Sequence, residues 1–463
     1  MRTQFSVSFR TMMIASLCGL LFGCSSGTGN GNTAAGSGSA PSATPASPAA
    51  AADNAAKPAA DSKPLTITFW HDKTGVAGDA VNQVVKDFEK KYPNIKVNSV
   101  YVAQTKDERL SQKLLISIAS KTPPDAAYFD RFLVGSYAGE DALTDLTERA
   151  KKDNITAGDY YPFAWDEAHY KDKLYALPLD TDARMIFYNK DLFKSVGLDP
   201  ENPPKTIAEL DAAAEKLTVM KGNKIERMGF IPWYSQGVLY SWGWSFGGQF
   251  YDEKTGKVTA NDPKIVEALT WMNKYADKYG IENVNGFVDS TGADALDPFI
   301  TGQIAMVAGT NSNISKYTKF KPDLKYGVFP FPNPAGDKFT TWSGGHAMII
   351  PKWAKNEDAA WEFIKYFTGP EGQLTFNKGI AGLAVTPKLN DTLGYKTDPV
   401  LSKFMDLLPV AHFRPVLPIG AVMWDQLLKA PDQVARKAGT PQAILDKITN
   451  DLNAELAKKQ AAK

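Results

Sequence analysis

After Cys24 the chain contains no further cysteine: the two in 463 residues are Cys18 and Cys24. Everything downstream therefore lacks a thiol for a disulfide, a metal site or a cysteine nucleophile. Histidine is nearly as scarce, and His71, His169, His346 and His412 show no local metal-ligand spacing, so no metal or cofactor is expected. Neither charge sign dominates, with 52 Lys plus Arg against 51 Asp plus Glu and a formal net charge of +1. There is no basic stripe and no acidic tail, which argues against nucleic acid as a partner and favours a neutral ligand. No internal repeat with a period of about 20–50 residues is visible, which argues against a solenoid or propeller. Also missing are a Gly-x-Ser-x-Gly elbow, a His-Glu-x-x-His pair and a P-loop. A secreted glycosidase would need two carboxylates flanking the scissile bond; Asp180 and Asp182, two apart on one strand, are poorly placed for that.

What is present begins with Arg2 and Arg10, an apolar stretch from Met12 to Gly23, and then Cys24. A basic start, a short apolar core and a small residue before a cut site predict a secretory signal over residues 1–23. The stretch is shorter than the roughly 20 apolar residues that span a bilayer. Leu21-Phe22-Gly23-Cys24 resembles the lipobox of bacterial lipoproteins, in which the cysteine is acylated and becomes the first mature residue. Cys24 is then a lipid anchor to the membrane, and Cys18 leaves with the signal. Residues 24–63 are almost entirely Ser, Gly, Ala, Pro, Thr and Asn. Such a segment cannot bury enough apolar surface to offset its ordering entropy, so a disordered tether is expected. The implied location is the extracytoplasmic face of a bacterial membrane, the long tether favouring a Gram-positive surface over a periplasm.

The rest is long enough for two domains with separate cores. Leu65 to Phe69 alternates apolar and polar residues and reads as a strand. A helix with Val81, Val84, Val85 and Phe88 on one face follows, ending before Pro93. Ile95–Val102 reads as a second strand, Leu110, Leu114, Leu115 and Ile118 mark another helix, and Asp125–Phe129 forms a third strand. This alternation predicts parallel strands with crossover helices, hence α/β. Thr206 and Glu209 form a capping box for a helix to about Val219, and Asp262-Pro263 opens another that Gly280 ends. "GQIAMVAGT" and "GHAMIIP" read as buried strands, Ala359–Phe367 as a helix, and helices fill the carboxyl end.

"ALPLDTDARMIFYNKDLFKSVGLDPENPPKTIAEL" resembles the signature stretch of the sugar-binding proteins of bacterial ABC importers, the extracellular solute-binding protein family 1 that includes maltose-binding protein. "PPDAAYFDRFLVGSYAGEDALTDL", "TGQIAMVAGT", "GGHAMIIPKWAKNEDAAWEFIKYFTGPEGQ" and "GLAVTPKL" are similar to further family segments and occur in family order. The resemblance implies a periplasmic-binding-protein-like fold, two α/β lobes with the ligand cleft between them. Lobe one is expected over 64–180 plus 332–384 and lobe two over 183–326 plus 388–463, with hinge crossings near 180–183, 326–332 and 383–388. The implied function is capture of a sugar or oligosaccharide by lobe closure and delivery to a permease, by a monomer without enzymatic activity. A phosphorylated polyol or polyamine is the alternative solute; a glycoside hydrolase and a purely structural lipoprotein stand further off.

A sugar presents C–H faces that stack on aromatic rings and hydroxyls that need hydrogen bonds, so a cleft should mix Trp with carboxylates and Arg. By resemblance, Asp130 and Arg131 after the third strand and Asp182 in "PLDTDAR" are ligand contacts, with Asp180 or Arg184 able to substitute for Asp182. Trp70, His71 and Asp72 end the first strand, where the family's first cleft loop lies. One of Trp242 and Trp244 is expected in the cleft, as is Trp424. Where many relatives place a Trp after "GQIAMVAG", this chain has Thr310-Asn311-Ser312, so Asn311 is expected to offer a polar contact instead. His346 completes the set.

Overall fold

Leu65–His71 forms the first strand, β1, with Ile67, Phe69 and His71 buried on one side and Thr68 and Trp70 half-buried on the other. The first strand thus runs two residues beyond the predicted segment. In this computed structural model the described residues are 64–103, 110–290 and 296–461. The expected signal, Cys24 and tether lie outside them. No helix among the described residues is long and apolar enough to cross a membrane.

α1 (Gly75–Lys91) buries the predicted stripe of Val81, Val84, Val85 and Phe88. It is followed by β2 (Ile95–Tyr101), α2 (Leu110–Ala119) and β3 (Ala126–Asp130). β1 pairs in parallel with both β2 and β3, as the alternation predicts. The chain then passes through β4 (Leu177–Pro178), β5 (Asp180–Thr181) and β6 (Arg184–Asn189). α3 (Ile207–Leu217) starts at the predicted capping box, Thr206 and Glu209 each bonding the other's backbone N–H. α4 (Leu239–Ser245), α5 (Pro263–Tyr279), β7 (Met306–Thr310), β8 (Tyr326–Phe329), β9 (Thr341–Trp342) and β10 (His346–Ile349) come next. α6 (Glu357–Thr368), α7 (Pro370–Ile380), β11 (Leu383–Ala384), β12 (Ala411–His412), α8 (Gly420–Ala435) and α9 (Pro441–Ala461) end the chain.

The first lobe's sheet has the order β2-β1-β3-β10-β4. β10 runs antiparallel to β3 and β4, so the sheet is mixed and the parallel arrangement stops at β3. The second lobe is built on β7-β6-β8, with β6 antiparallel to both neighbours. All six residues of β6 are buried, as befits a strand covered on both faces. Trp242, Leu269 and Met423 pack on one side of this sheet, and Phe187, Phe299 and Phe404 on the other.

Two of the three expected passages between the lobes run side by side. In the first, Leu179 N–H still donates to the His346 carbonyl at 2.9 Å, and β5 then pairs with β11 before β6 enters the second sheet. In the second, β9 pairs with β12, and the chain reaches the first sheet only at His346. This corrects one expected boundary. Residues 332–342 stay with the second lobe, because Asn333 bonds the start of α3 and the Trp342 indole donates to Ser241 at 2.8 Å.

Arg131 ties the passages together. It is 0 % exposed; Nε donates to Glu167 Oε2 at 2.9 Å, and its two terminal nitrogens donate to the carbonyls of Asp180 at 2.8 Å and Gly344 at 2.7 Å. Gly345 makes the close approach possible. Its φ is +129°, and a Cβ there would lie 2.3 Å from the Asp180 carbonyl and 2.9 Å from Arg131. Gly345→Ala is therefore expected to destabilise the protein by about 2 kcal/mol or more, combining a disfavoured conformation with a backbone clash. Urea unfolding would read this; an unchanged midpoint would show that the passages can separate at no cost.

Candidate functional site

The ends of β3 and β10, the two passages, α4, and the segment from β12 into α8 converge where the lobes meet. Asp130 ends β3; its Oδ1 accepts the Phe132 N–H at 3.1 Å, which turns the chain and leaves the carboxylate half-exposed. Phe132 faces Trp424 across the lobes, with ring centroids 5.9 Å apart. Ser136 in the first lobe donates to the Leu417 carbonyl in the second at 3.4 Å.

Trp424 is half-buried at the start of α8. Tyr240 from α4 stacks on it, centroids 5.8 Å apart and planes 14° from parallel. Trp342 lies 5.9 Å away. Further along this wall Trp244 packs 5.0 Å from Tyr240 and stacks on His412 at 5.2 Å. Two buried guanidinium groups lie among these rings. Arg184 sits 3.5 Å over Trp342, and Arg414 lies 4.0 Å from Phe132 and 5.0 Å from both Trp342 and Trp424.

The carboxylates are engaged in different ways. Asp182 pairs with Arg184 and accepts the Gly344 N–H at 2.6 Å. Burial pushes the Arg184 pKa down to about 10, against the opposing pull of Asp182. Asp180 accepts from the His346 backbone N–H at 2.8 Å, the His346 Nδ1 at 2.9 Å and the Tyr128 hydroxyl at 2.8 Å. Burial alone would raise the Asp180 pKa, but the charge and hydrogen bond of His346, with Lys73 and Tyr128, hold it well below the usual carboxylate range. The Lys73 ammonium lies 4.3 Å over the Tyr128 ring and 3.1 Å from Asp72.

Of the residues expected at the site, Asp130, Asp182, His346 and Trp424 come together along this floor and wall, with Asp72 at its first-lobe end beside Lys73, while Trp244 is buried behind the wall against Tyr240 and His412. Arg131 requires a correction: all three of its nitrogen positions are spent inside the hinge, and zero exposure leaves no face for a ligand. Trp242 is also 0 % exposed; it sits in the core with its indole donating to the Pro232 carbonyl and its ring 4.4 Å from Trp271. Asn311 is buried and its side-chain oxygen accepts the Ala183 N–H, bracing the first passage rather than lining a cleft. His71 is buried too, stacked on Phe69 with Nδ1 accepting the Lys73 N–H. Trp70 packs against the first lobe's core.

Phe132, Tyr240, Trp342 and Arg414 were not singled out from the sequence. Arg414 heads the "RPVLPIGAVM" stretch before Trp424, and that proximity was the signal available for it. Trp342 carried none, because only the pairing of β9 with β12 brings it to the site. Among the described residues, no group of three or more His, Cys, Asp or Glu could hold a metal ion. The arrangement is suited to holding a molecule: aromatic faces, half-exposed carboxylates, and two lobes in contact around them.

The chain is similar to known proteins over most of its length. An uncharacterized ABC transporter extracellular-binding protein of Pyrococcus horikoshii is 27% identical over 407 residues, covering 85% of this chain and 83% of its own. The maltotriose-binding protein of Pyrococcus abyssi is 24% identical over 399 residues, covering 83% and 81%. Among solved structures, CpMnBP1 with mannobiose bound is 29% identical with a TM-score of 0.75, covering 84% of this chain and 99% of that one. The sequence profile of the bacterial extracellular solute-binding proteins matches residues 72–374. With a fold of two α/β lobes and a profile match over most of its length, the chain belongs to the bacterial extracellular solute-binding protein family.

Proposed function

We propose that the protein is the binding component of an ABC importer and captures a sugar or short oligosaccharide between its lobes. The observation that carries this reading is the half-buried Trp424 ring, flanked by Tyr240 and set beside Asp130 and Arg414 where the lobes meet. A sugar's C–H face would stack on that ring while its hydroxyls bond the charged neighbours. The charges of Asp72, Asp130, Glu167, Asp180 and Asp182 nearly cancel those of Lys73, Arg131, Arg184 and Arg414, which suits a neutral ligand better than an anion or cation. The mannobiose and maltotriose named for two similar proteins support the same class. Asp180 and Asp182 are held by His346 and Arg184, which supports a receptor rather than a hydrolase. The reading includes a lipid anchor at Cys24, delivery of the solute to a permease, and a monomer on the extracytoplasmic face, a Gram-positive surface being favoured by the tether. Its lobes are 64–180 plus 343–384 and 183–342 plus 388–463.

A phosphorylated polyol is the second reading, and Arg414 favours it: among the described residues its Nε has no hydrogen-bond partner. One titration separates the two. The chain from residue 64 is mixed with mannobiose, mannotriose, maltose, maltotriose, glycerol 3-phosphate or spermidine, and Trp fluorescence and melting are followed. A saturable response to one sugar class without its turnover is expected, with stability rising by about 2.7 kcal/mol at 100 times Kd. Silence across the sugars with a response to glycerol phosphate or spermidine would overturn the carbohydrate assignment.

Two tryptophan substitutions check the site. Trp424→Ala is expected to weaken sugar binding by roughly 10- to 100-fold while lowering the melting temperature of the free protein less than loss of a core tryptophan. Trp242→Ala should instead cost about 3–5 kcal/mol of stability through loss of core packing. Equal effects of the two on melting would remove Trp424 from the cleft.

A further inference from the structure

The hinge clamp and the cleft cation share one carboxylate. Glu167 is 1 % exposed. Its Oε2 accepts from Arg131, whose other nitrogens hold one carbonyl in each passage between the lobes. Its Oε1 has no hydrogen-bond partner among the described residues and lies 3.9 Å from the Arg414 guanidinium. Arg414 is 5 % exposed and comes from the second lobe's side, packed against Trp342 and Trp424. Its nearest carboxylate is Asp130 of the first lobe, at 3.5 Å. The Arg414 terminal nitrogen nearest Asp130 thus also faces the unspent oxygen of a buried carboxylate from beyond hydrogen-bond distance, a contact only partly made, while the Nε of the same guanidinium has no hydrogen-bond partner among the described residues. In such surroundings an unmet charge is costly, so completing the contact favours whichever lobe arrangement allows it.

We propose that Glu167 is a positioning residue that couples occupation of the cleft to lobe closure. When a solute engages Asp130, Arg414 shifts toward the free oxygen of Glu167, and the same carboxylate carries that shift to Arg131 and the passages. This rests on the cleft being a closing solute site, not on the solute being a sugar. A Glu167 that merely supported the fold would act whether or not Arg414 were present.

The scarcity of cysteine makes the test direct. In protein carrying Cys18→Ser and Cys24→Ser, spin labels at Lys86→Cys in α1 and Lys274→Cys in α5 report the separation of the lobes from exposed positions. Distances are measured by pulsed electron paramagnetic resonance without ligand and with mannobiose. Glu167→Gln keeps an oxygen for Arg131 but removes the charge that attracts Arg414. It is expected to lower the ratio of closed to open protein about tenfold in the ligand-free state, and to add nothing further in an Arg414→Met background. An unchanged distance distribution, or a Glu167→Gln effect of the same size with and without Arg414, would overturn the proposal. Both readouts exist without any sugar, so failure of mannobiose to bind counts against the sugar assignment alone.

Discussion

The molecule depends on one guanidinium with no contact to water. Arg131 holds together two stretches of chain that sequence keeps far apart; it and Gly344 are separated by 213 residues. Its guanidinium is a planar fork of donors, a shape suited to gripping two backbone carbonyls and a carboxylate together. Burying such a cation costs several kcal/mol unless every donor is met. The same geometry that meets that cost fixes Asp180 against His346 and Gly344 against Asp182, so the hinge and the floor of the cleft are set by one act of charge compensation. The lobes' own cores are ordinary by comparison, layers of aliphatic and aromatic side chains on either side of their sheets.

The cleft built above that floor separates its two tasks. In the proposed reading flat apolar contact falls to the half-buried Trp424, whose ring is backed by the buried Tyr240 and, behind that, Trp244, and is therefore held before any ligand arrives. Polar contact, in the same reading, falls to groups whose orientation is held from behind: Asp130 by the Phe132 N–H, Asp182 by Arg184 and the Gly344 N–H. Pre-organisation of this kind reduces the ordering entropy that binding must overcome. It leaves movement of the lobes as the main conformational change available.

Much of the fold is legible in the sequence because it is local. The alternation in Leu65–Phe69, the stripe of Val81, Val84, Val85 and Phe88, and the Thr206–Glu209 box each specify an element from neighbouring residues alone. The antiparallel return of β10 is not legible in that way, since nothing in "GHAMIIP" states which strand it joins. The site is legible only in part. Trp424 and Asp182 are placed by resemblance, but the same resemblance puts Arg131 in the cleft. Its true role depends on Glu167, a buried acid that no motif marks. Trp242 and Trp244 show the same limit at short range. Two residues apart on one short helix, both are buried, Trp242 against Trp271 and Phe331 and Trp244 behind Tyr240 and against His412, and those partners come from elsewhere in the chain.

The interleaving of the two lobes also governs the order in which they can form. β10 fills the gap between β3 and β4, yet it is made only after the 183–342 part of the second lobe has been synthesised. Until that strand arrives, β3 keeps an open edge and Arg131 lacks the Gly344 carbonyl. The first lobe therefore cannot mature as an independent unit while the chain is still emerging. Long-range closures of this sort slow folding. A chain that cannot complete its first sheet early stays pliable for longer, which keeps its two lobes from maturing one without the other.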